Sequence, residues 1–291
     1  MSVILPAIVP VLLLALLGFA MAKTGRAMDG GTTAFLVATV GTPALVFSDL
    51  AAAAFDPQKI ATLASATAIA IGFYLTAGAI VLKLAGLKLR TYLPSLAFPN
   101  SGNLGLPLAL YAAGQTGLND AIIIFSVVSI ANMTAGQVIA AGRGKWGRAL
   151  RSPIIPAVVL GVACAYAHVV LPAWLTNTLS LLSSLTIPLM LLMLGNSLAR
   201  IQVKGFPRAF ALSILRIGMG IVAGFVLAHA FGLTGPERVA FVLQCAMPVA
   251  VYNYLFAQMY DNDPEDVASL VIVSTVLSVV TTPILLAVLV P

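Results

Sequence analysis

Two asparagines and a serine stand inside an apolar stretch of this 291-residue chain, between Phe98 and Pro107. Asn100, Ser101 and Asn103 carry amide and hydroxyl groups, which donate and accept hydrogen bonds without a net charge. Groups of this kind can bind a carboxylate or a polar ring. Polar groups in apolar surroundings are costly unless something satisfies them. We therefore begin from the hypothesis that this stretch binds a substrate.

The same stretch disturbs the geometry of the helix that would carry these side chains. Pro99 and Pro107 each remove a backbone donor and clash with the preceding turn, and the glycines between them weaken the helix further. Broken helix at membrane depth is tolerated only where protein buries it or where it lines a cavity. The sequence thus predicts a discontinuous helix, whose half-helix N-terminus offers free N–H groups and partial positive charge to an anion.

The composition indicates the environment of these helices. Hydrophobic residues make up 60% of the chain and charged residues 8%, and the mean hydropathy is +1.07. These values are typical of a polytopic membrane protein and argue against a soluble domain. The net charge of +6 comes from basic residues in short loops. We therefore predict membrane lipid and a small solute as partners, and no nucleic acid.

Charges, Gly/Pro clusters and polar loops divide the chain into ten predicted spans, each near the ~20 apolar residues that a bilayer requires. The predicted spans cover residues 2–22, 31–52, 59–84, 93–113, 120–141, 153–171, 174–199, 207–231, 237–258 and 265–289. Most of the 15 Lys and Arg residues fall in loops after odd-numbered spans, which the positive-inside rule assigns to the cytoplasm. We predict a multi-pass protein of the plasma (inner) membrane with both termini on the extracytoplasmic side.

Prolines recur at a separation close to half the chain. Pro43 in span two matches Pro188 in span seven, and Pro99 in span four matches Pro248 in span nine. Together with Pro107, these are the predicted helix-break positions. Matches in the same order and at one offset favour an internal repeat.

Each predicted repeat contains five spans, and an odd number makes the second repeat enter the membrane from the opposite face. The first repeat covers residues 1–141, a cytoplasmic link covers 142–152, and the second repeat covers 153–291. In transporters with inverted repeats, discontinuous helices meet near the midplane and form the substrate site. The predicted fold is an all-α membrane protein with ten transmembrane helices in two inverted five-helix repeats, and with crossed broken helices in spans four and nine.

The second arm of this predicted crossing carries Tyr252 and Asn253 shortly after Pro248. A Tyr side chain combines an apolar ring face with a polar tip, and an Asn amide binds polar groups. For each asparagine of the crossing, the alternative is a structural hydrogen bond between helices.

Arg216 is a charged residue near the middle of span eight, roughly 15 Å deep at about 1.5 Å per residue. An ionisable group at that depth is expensive and is by default a functional candidate, either an anion counter-charge or part of a gate. The equally supported alternative is an arginine that neutralises helix C-terminal carbonyls or extends toward the cytoplasm.

Several absences narrow the chemistry that the sequence predicts. No Asp or Glu falls at mid-depth in any predicted span, so neither a carboxylate relay nor an acidic sodium cage is visible. Neutral oxygens can still hold sodium, so the coupling ion stays open. Metal-ligand spacing and nucleotide-binding loops are also missing, and we therefore expect no metal, no cofactor and no enzymatic activity.

These features together resemble the auxin efflux carrier family, which includes the plant PIN auxin exporters and bacterial carriers associated with malonate or malate. The resemblance covers essentially the whole chain. Its most specific parts are Pro99-Asn100-Ser101 with Gly105-Leu106-Pro107, Pro188 to Ala199, Arg216, and Met247-Pro248 through Tyr260. The family implies a fold like that of the bile acid:sodium symporters and sodium/proton antiporters.

The resemblance also implies how the spans divide. Spans 1, 2, 6 and 7 would form a scaffold that often dimerises, and spans 3–5 and 8–10 would form a moving transport domain. Asn100 would be the crossover asparagine that contacts the substrate carboxylate. In span two, Val46 occupies the hydroxyl position of the PIN members and Ser48 lies nearby, so we include Ser48 in the predicted site and favour a carboxylate smaller than an indole acid.

The predicted function is secondary transport of small organic anions, such as malonate, malate or auxin-like acids, by an elevator-type motion at the crossing. The alternative on the same fold is a sodium-coupled symporter of amphipathic, bile-acid-like substrates. A third hypothesis, from another class, is a membrane receptor or assembly factor that binds a ligand without transporting it. We expect a homodimer that forms through the scaffold spans.

Overall fold

The computed structural model describes residues 4–25, 30–52, 57–142, 153–167, 169–200 and 205–290. The α-helices in these residues are α1 (Ile4–Lys23), α2 (Gly30–Leu36), α3 (Thr42–Ala52), α4 (Pro57–Leu84), α5 (Leu89–Ala97), α6 (Leu106–Ala131), α7 (Gln137–Ala141), α8 (Ile154–Tyr166), α9 (Ala173–Arg200), α10 (Phe206–Ala230), α11 (Gly235–Ala246), α12 (Val251–Tyr260) and α13 (Pro264–Leu289). Three π-helical segments, π1 (Val37–Gly41), π2 (Ser101–Gly105) and π3 (Asn132–Gly136), continue directly into α-helices. The predicted all-α class is confirmed.

Within the described residues, five helical segments are long and apolar enough to cross a membrane, which agrees with a multi-pass membrane protein. These segments are Gln58–Leu84, Ser101–Ala141, Ala173–Met193, Phe206–Ala230 and Pro264–Leu289. The described residues also contain shorter apolar helices at Leu13–Lys23, Thr39–Ser48 and Ile155–Tyr166. The arrangement of ten spans in inverted repeats stays a prediction.

The segment Ser101–Ala141 contains the predicted boundary between spans four and five. At this boundary Gly114 has φ 66° and ψ −163°, which interrupts helix geometry inside α6. Glycine adopts this conformation without steric cost. The chain therefore changes direction at Gly114 without a separate loop.

Pro43 and Pro107 were predicted to break helices, and this prediction is wrong for both. Each is the second residue of an α-helix that follows a π-helical segment directly. In a π-helix, each N–H reaches back five residues instead of four; the N–H of Thr42 accordingly donates to the carbonyl of Val37. The wider turn accommodates the proline ring and its missing donor, so the chain stays helical.

Pro188 also fails to break its helix. It lies inside α9, which runs without interruption from Ala173 to Arg200. Pro99 and Pro248, by contrast, lie in non-helical segments between two helices. At Pro99 and Pro248, main-chain hydrogen bonds between residues 98–100 and 248–250 take the place of the missing helical bonds.

The helices pack in two groups. In the first group, α1 packs along α9, and α3 packs against α8 and α9. In the second group, α4, α5, α6, α10, α11 and α13 surround a common apolar core that includes Leu63, Leu96 and Phe241. Helix α6 also contacts α1 and α3, so it joins the two groups.

Helix α10 lies unusually close to the end of α11. A Cβ atom built at Gly220 would overlap the carbonyl oxygen of Cys245, and one built at Gly224 would press against Val242. Glycine at these positions lets the two backbones approach, as small residues do in membrane helix packing. The close contact brings Arg216, one turn earlier on α10, to the same helix end.

Candidate functional site

Two interrupted helices cross inside the second group. The chain leaves α5 and enters π2 through residues 98–100, and it leaves α11 and enters α12 through residues 247–250. These two extended segments run antiparallel and are joined by a bridge between Pro99 and Val249. Two helix C-termini and two helix N-termini therefore meet at one place.

Main-chain hydrogen bonds connect the two segments reciprocally. The N–H of Asn100 donates to the carbonyl of Pro248 at 2.7 Å, and the N–H of Ala250 donates to the carbonyl of Phe98 at 3.4 Å. These bonds satisfy backbone groups that the missing helical turns leave free, as buried backbone requires. The crossing is thus a short sheet-like pair within a helical protein.

A cavity of about 470 Å³, which includes its open mouth, lies beside the crossing. Residues 99–103 form one wall, and Ala250 and Tyr252 from the second arm form another. All the side chains that line the cavity are uncharged. Any charge that a ligand brings would therefore be met by helix N-termini, amides and hydroxyls.

Four predicted site residues line this cavity, namely Asn100, Ser101, Asn103 and Tyr252. Asn100 is only 3% exposed, and its Nδ2 atom has no hydrogen-bond partner among the described residues. An unpaired buried amide is costly. The structure thus leaves this donor available to a ligand.

Asn253 and Ser48 were also predicted to bind substrate, and the structure gives both other contacts. Nδ2 of the buried Asn253 donates to the carbonyl of Phe98 at 3.2 Å, so this side chain joins the two arms. The hydroxyl of Ser48 donates to the carbonyl of Leu45 in its own helix at 3.1 Å. Neither residue lines the cavity at the crossing.

Arg216 lies behind the crossing and outside the cavity lining. It is fully buried, and its Nη2 atom donates to the carbonyl of Cys245 at 2.7 Å. Its guanidinium carbon lies 4.5 Å from the centre of the Tyr74 ring, which is a cation–π contact. Because Cys245 is the penultimate residue of α11, these contacts match an arginine that neutralises helix C-terminal carbonyls.

The cavity has further walls that the sequence did not indicate. Helix α6 and segment π3 contribute Ser129, Asn132 and Met133, and the first helix group contributes Thr42 and Met190. Asn132 is 4% exposed, and its Oδ1 atom has no partner among the described residues. Asn132 is the one asparagine among several polar residues of span five, which is a weak signal, and Thr42 and Met190 had none.

A polar network joins helix ends on the side opposite to the N-terminus of α11. Asp263, just before α13, accepts hydrogen bonds from Lys88 Nζ at 3.0 Å and from Thr91 Oγ1 at 3.0 Å. The hydrogen bond from Lys88 is the main reason that the pKa of Asp263 lies below its ordinary value. The network ties the start of α5 to the start of α13.

Asp266 extends this network to α10. It accepts a hydrogen bond from the Tyr92 hydroxyl at 2.6 Å and another from Arg208 Nη2 at 2.8 Å. Arg208 also lies over the Tyr92 ring, 5.5 Å from its centre. Three helices that begin at different points of the sequence are therefore joined at their ends.

A family model described as "Membrane transport protein" matches residues 3–149 and 143–286. The chain belongs to the auxin efflux carrier family. The two matched segments cover both halves of the chain, so the assignment does not depend on the crossing alone.

Relatives of this family member come from archaea and from plants. An uncharacterized transporter of Methanothermobacter thermautotrophicus is 28% identical over 95% of each chain. An uncharacterized transporter of Methanocaldococcus jannaschii is 28% identical over 67% of this chain and 65% of its own length. The probable auxin efflux carrier component 5b of Oryza sativa subsp. japonica is 29% identical over 47% of this chain and 39% of its own. This auxin efflux carrier family member is a membrane transport protein.

Proposed function

We propose that this protein is a secondary transporter of small organic anions, chiefly carboxylates of the size of malonate or malate, with auxin-like acids as larger candidates. The observation that carries the proposal is the cavity at the crossing, which combines uncharged polar side chains with two helix N-termini. Partial positive charge at helix N-termini favours an anion without the cost of a buried cation. In this proposal the substrate carboxylate meets Asn100, Ser101 and Asn103.

The transport mechanism that we propose is an elevator-type motion of one helix group against the other. The first group would be the scaffold, from predicted spans 1, 2, 6 and 7, and the second would be the transport domain, from spans 3–5 and 8–10. In support, Thr42 and Met190 of the first group face residues 99–103 of the second across the cavity. A substrate held at this boundary would change its access when the groups slide past each other.

The topology that we propose has ten spans in two inverted repeats of five, with a boundary at the link 142–152. The corresponding positions of the two interruptions support it, since residues 98–100 follow α5 in the first half and residues 247–250 follow α11 in the second. The two halves also share an order of elements: three helices, an interrupted helix and a last helix. We further propose that the protein lies in the plasma (inner) membrane with both termini outside, and that the scaffold forms a homodimer.

Flux measurements on purified protein in sealed proteoliposomes test the proposed function. We expect saturable uptake of labelled malonate or malate, above that of protein-free vesicles. Uptake that appears only with an inward sodium gradient would favour the sodium-coupled symporter instead. Stabilisation by carboxylates in a thermal-shift screen, without flux in vesicles, would favour a receptor. Neither binding nor flux with any carboxylate would refute the proposal.

A further inference from the structure

The end of half-helix α11 lies inside the protein, where its charge needs a partner. Met247, which follows the helix, is fully buried. The last carbonyls of a helix lack intrahelical donors and carry partial negative charge. In a water-free interior these groups are costly unless a donor or a cation meets them.

Arg216 meets this helix end and, within the described residues, makes no ion pair with a carboxylate. Its charge faces the Cys245 carbonyl on one side and the Tyr74 ring on another. A buried guanidinium is itself costly without compensation. The Cys245 carbonyl therefore compensates part of the arginine's charge, while Nε and Nη1 have no partner among the described residues.

The helix end that Arg216 holds leads directly into the crossing. Three residues beyond Cys245, Pro248 accepts the N–H of Asn100. On the other face of this segment, the hydroxyl of the buried Ser274 accepts the N–H of Val249 at 3.1 Å. The second arm is thus held from α10 by Arg216 and from α13 by Ser274.

We infer that Arg216 is a positioning residue that fixes the second arm, and through Pro248 the orientation of Asn100, without touching the substrate. The inference rests on the proposed function for its effect on transport. It assigns Arg216 a role different from that of an anion counter-charge. The cavity lining supports this assignment, because Arg216 does not contribute to it.

The two roles predict different responses to the charge of the ligand. Malonate and its monoamide differ by one charge and hardly in size. A counter-charge lost in Arg216→Gln would weaken malonate binding more than monoamide binding. A lost positioning contact would weaken both by one common factor, since the arm is displaced for either ligand.

The binding experiment uses calorimetry of both probes with the purified full-length protein. We expect Arg216→Gln to weaken both by about tenfold, as the loss of one charge-assisted hydrogen bond implies, and Arg216→Lys to restore part of the loss. Arg238→Gln is the matched control, because Arg238 also lies over an aromatic ring, that of Phe225, but is exposed and distant from the crossing. A selective loss of malonate binding, or no loss, in Arg216→Gln would overturn the inference.

Hydrogen exchange at the amides of Val249 and Ala250 provides a readout that does not depend on the ligand. We expect faster exchange there in Arg216→Gln and in Ser274→Ala, and wild-type exchange in Arg238→Gln. Should Arg216→Gln fail to fold, Arg216→Lys is measured in its place, and wild-type exchange with wild-type binding in that variant would overturn the inference. If wild-type protein binds neither probe and transports no carboxylate, the proposed function fails, while the exchange data still decide the role of Arg216.

Discussion

The backbone N–H of Asn100 donates to the carbonyl of Pro248 across the crossing, with an N···O distance of 2.7 Å. This bond fixes the main chain of Asn100 by a contact with the other interrupted helix, and it does not involve the side-chain amide. The Nδ2 atom of Asn100 has no partner among the described residues. A residue that is held by its backbone and has an unpaired side-chain donor is well suited to bind a ligand.

Replacement of Asn100 tests the donor directly. Asn100→Ala should abolish carboxylate uptake in proteoliposomes because the amide is lost. Asn100→Asp should bind anions more weakly than Asn100→Ala does, because it adds a charge of the same sign as the ligand. The matched control is Asn119→Ala, since Asn119 accepts a hydrogen bond from Gln115 within α6 and does not line the cavity. Wild-type uptake by Asn100→Ala with normal expression would contradict the site assignment.

A pair of glycines on α10 tests the close approach to α11. Gly220→Ala should lower the stability by about 1–3 kcal/mol, because the added Cβ overlaps the Cys245 carbonyl. Gly218→Ala on the same helix should be neutral or slightly stabilising, since nothing lies within 4 Å of its Cβ position. Thermal unfolding in detergent, followed by tryptophan fluorescence, measures both. Equal melting temperatures for the two variants would contradict the close packing of α10 against α11.

We expect the carboxylate of Asp263 to stabilise the folded protein in a way that is lost at acid pH. Its folded-state pKa lies below the ordinary value, so the stabilisation is present above the unfolded-state pKa of about 3.9 and is lost as the pH falls through the folded-state pKa. Asp263→Asn should lower the melting temperature at about pH 7 and have a smaller effect near pH 3. Asp261→Asn is the control, because Asp261 has the same left-handed backbone conformation. A pH-independent difference between Asp263→Asn and wild type would speak against the network.

Met190, which lines the cavity from the first helix group, is predicted to limit the size of the substrate. Met190→Ala should raise the affinity for an acid that is longer by one methylene group about tenfold relative to malonate. One methylene group in an apolar pocket changes the discrimination between two substrates by about that factor. Competition of unlabelled dicarboxylates against malonate uptake measures the preference. Met219→Ala, in the buried core of α10, should reduce stability without a change in preference. An unchanged ranking in Met190→Ala would remove Met190 from the site.

The sequence predicted the interrupted arms of the crossing because their cause is local. Pro99 and Pro248 remove donors from the chain itself, and the residues Asn100, Ser101 and Gly102 after Pro99 also favour leaving the helix. The all-α class and the membrane assignment follow from composition in the same way. Missing backbone donors and hydropathy can be read from the sequence without knowledge of which residues pack together in the fold.

The rest of the cavity was not predictable, because its walls come from continuous helices. Thr42 and Met190 lie on helices whose composition gives no reason to single them out, and only packing turns them toward residues 99–103. For Arg216, the sequence predicted that the residue lies deep in span eight, but it did not predict which group the guanidinium contacts. Its contact with Cys245 depends on how closely α10 approaches α11, which is a property of the folded protein.

The three π-helical segments fix the rotational phase of the helices that line the cavity. Each residue of an α-helix advances the side-chain direction by about 100°, so the extra residue of a π-turn rotates everything after it relative to everything before it. Deletion of one residue within π1 would leave an apolar, continuous helix of almost unchanged length. It would nevertheless turn Thr42 and the rest of α3 by about 100° away from their present neighbours. Related helices that contain a π-turn must therefore be compared by the directions of their side chains as well as by residue type.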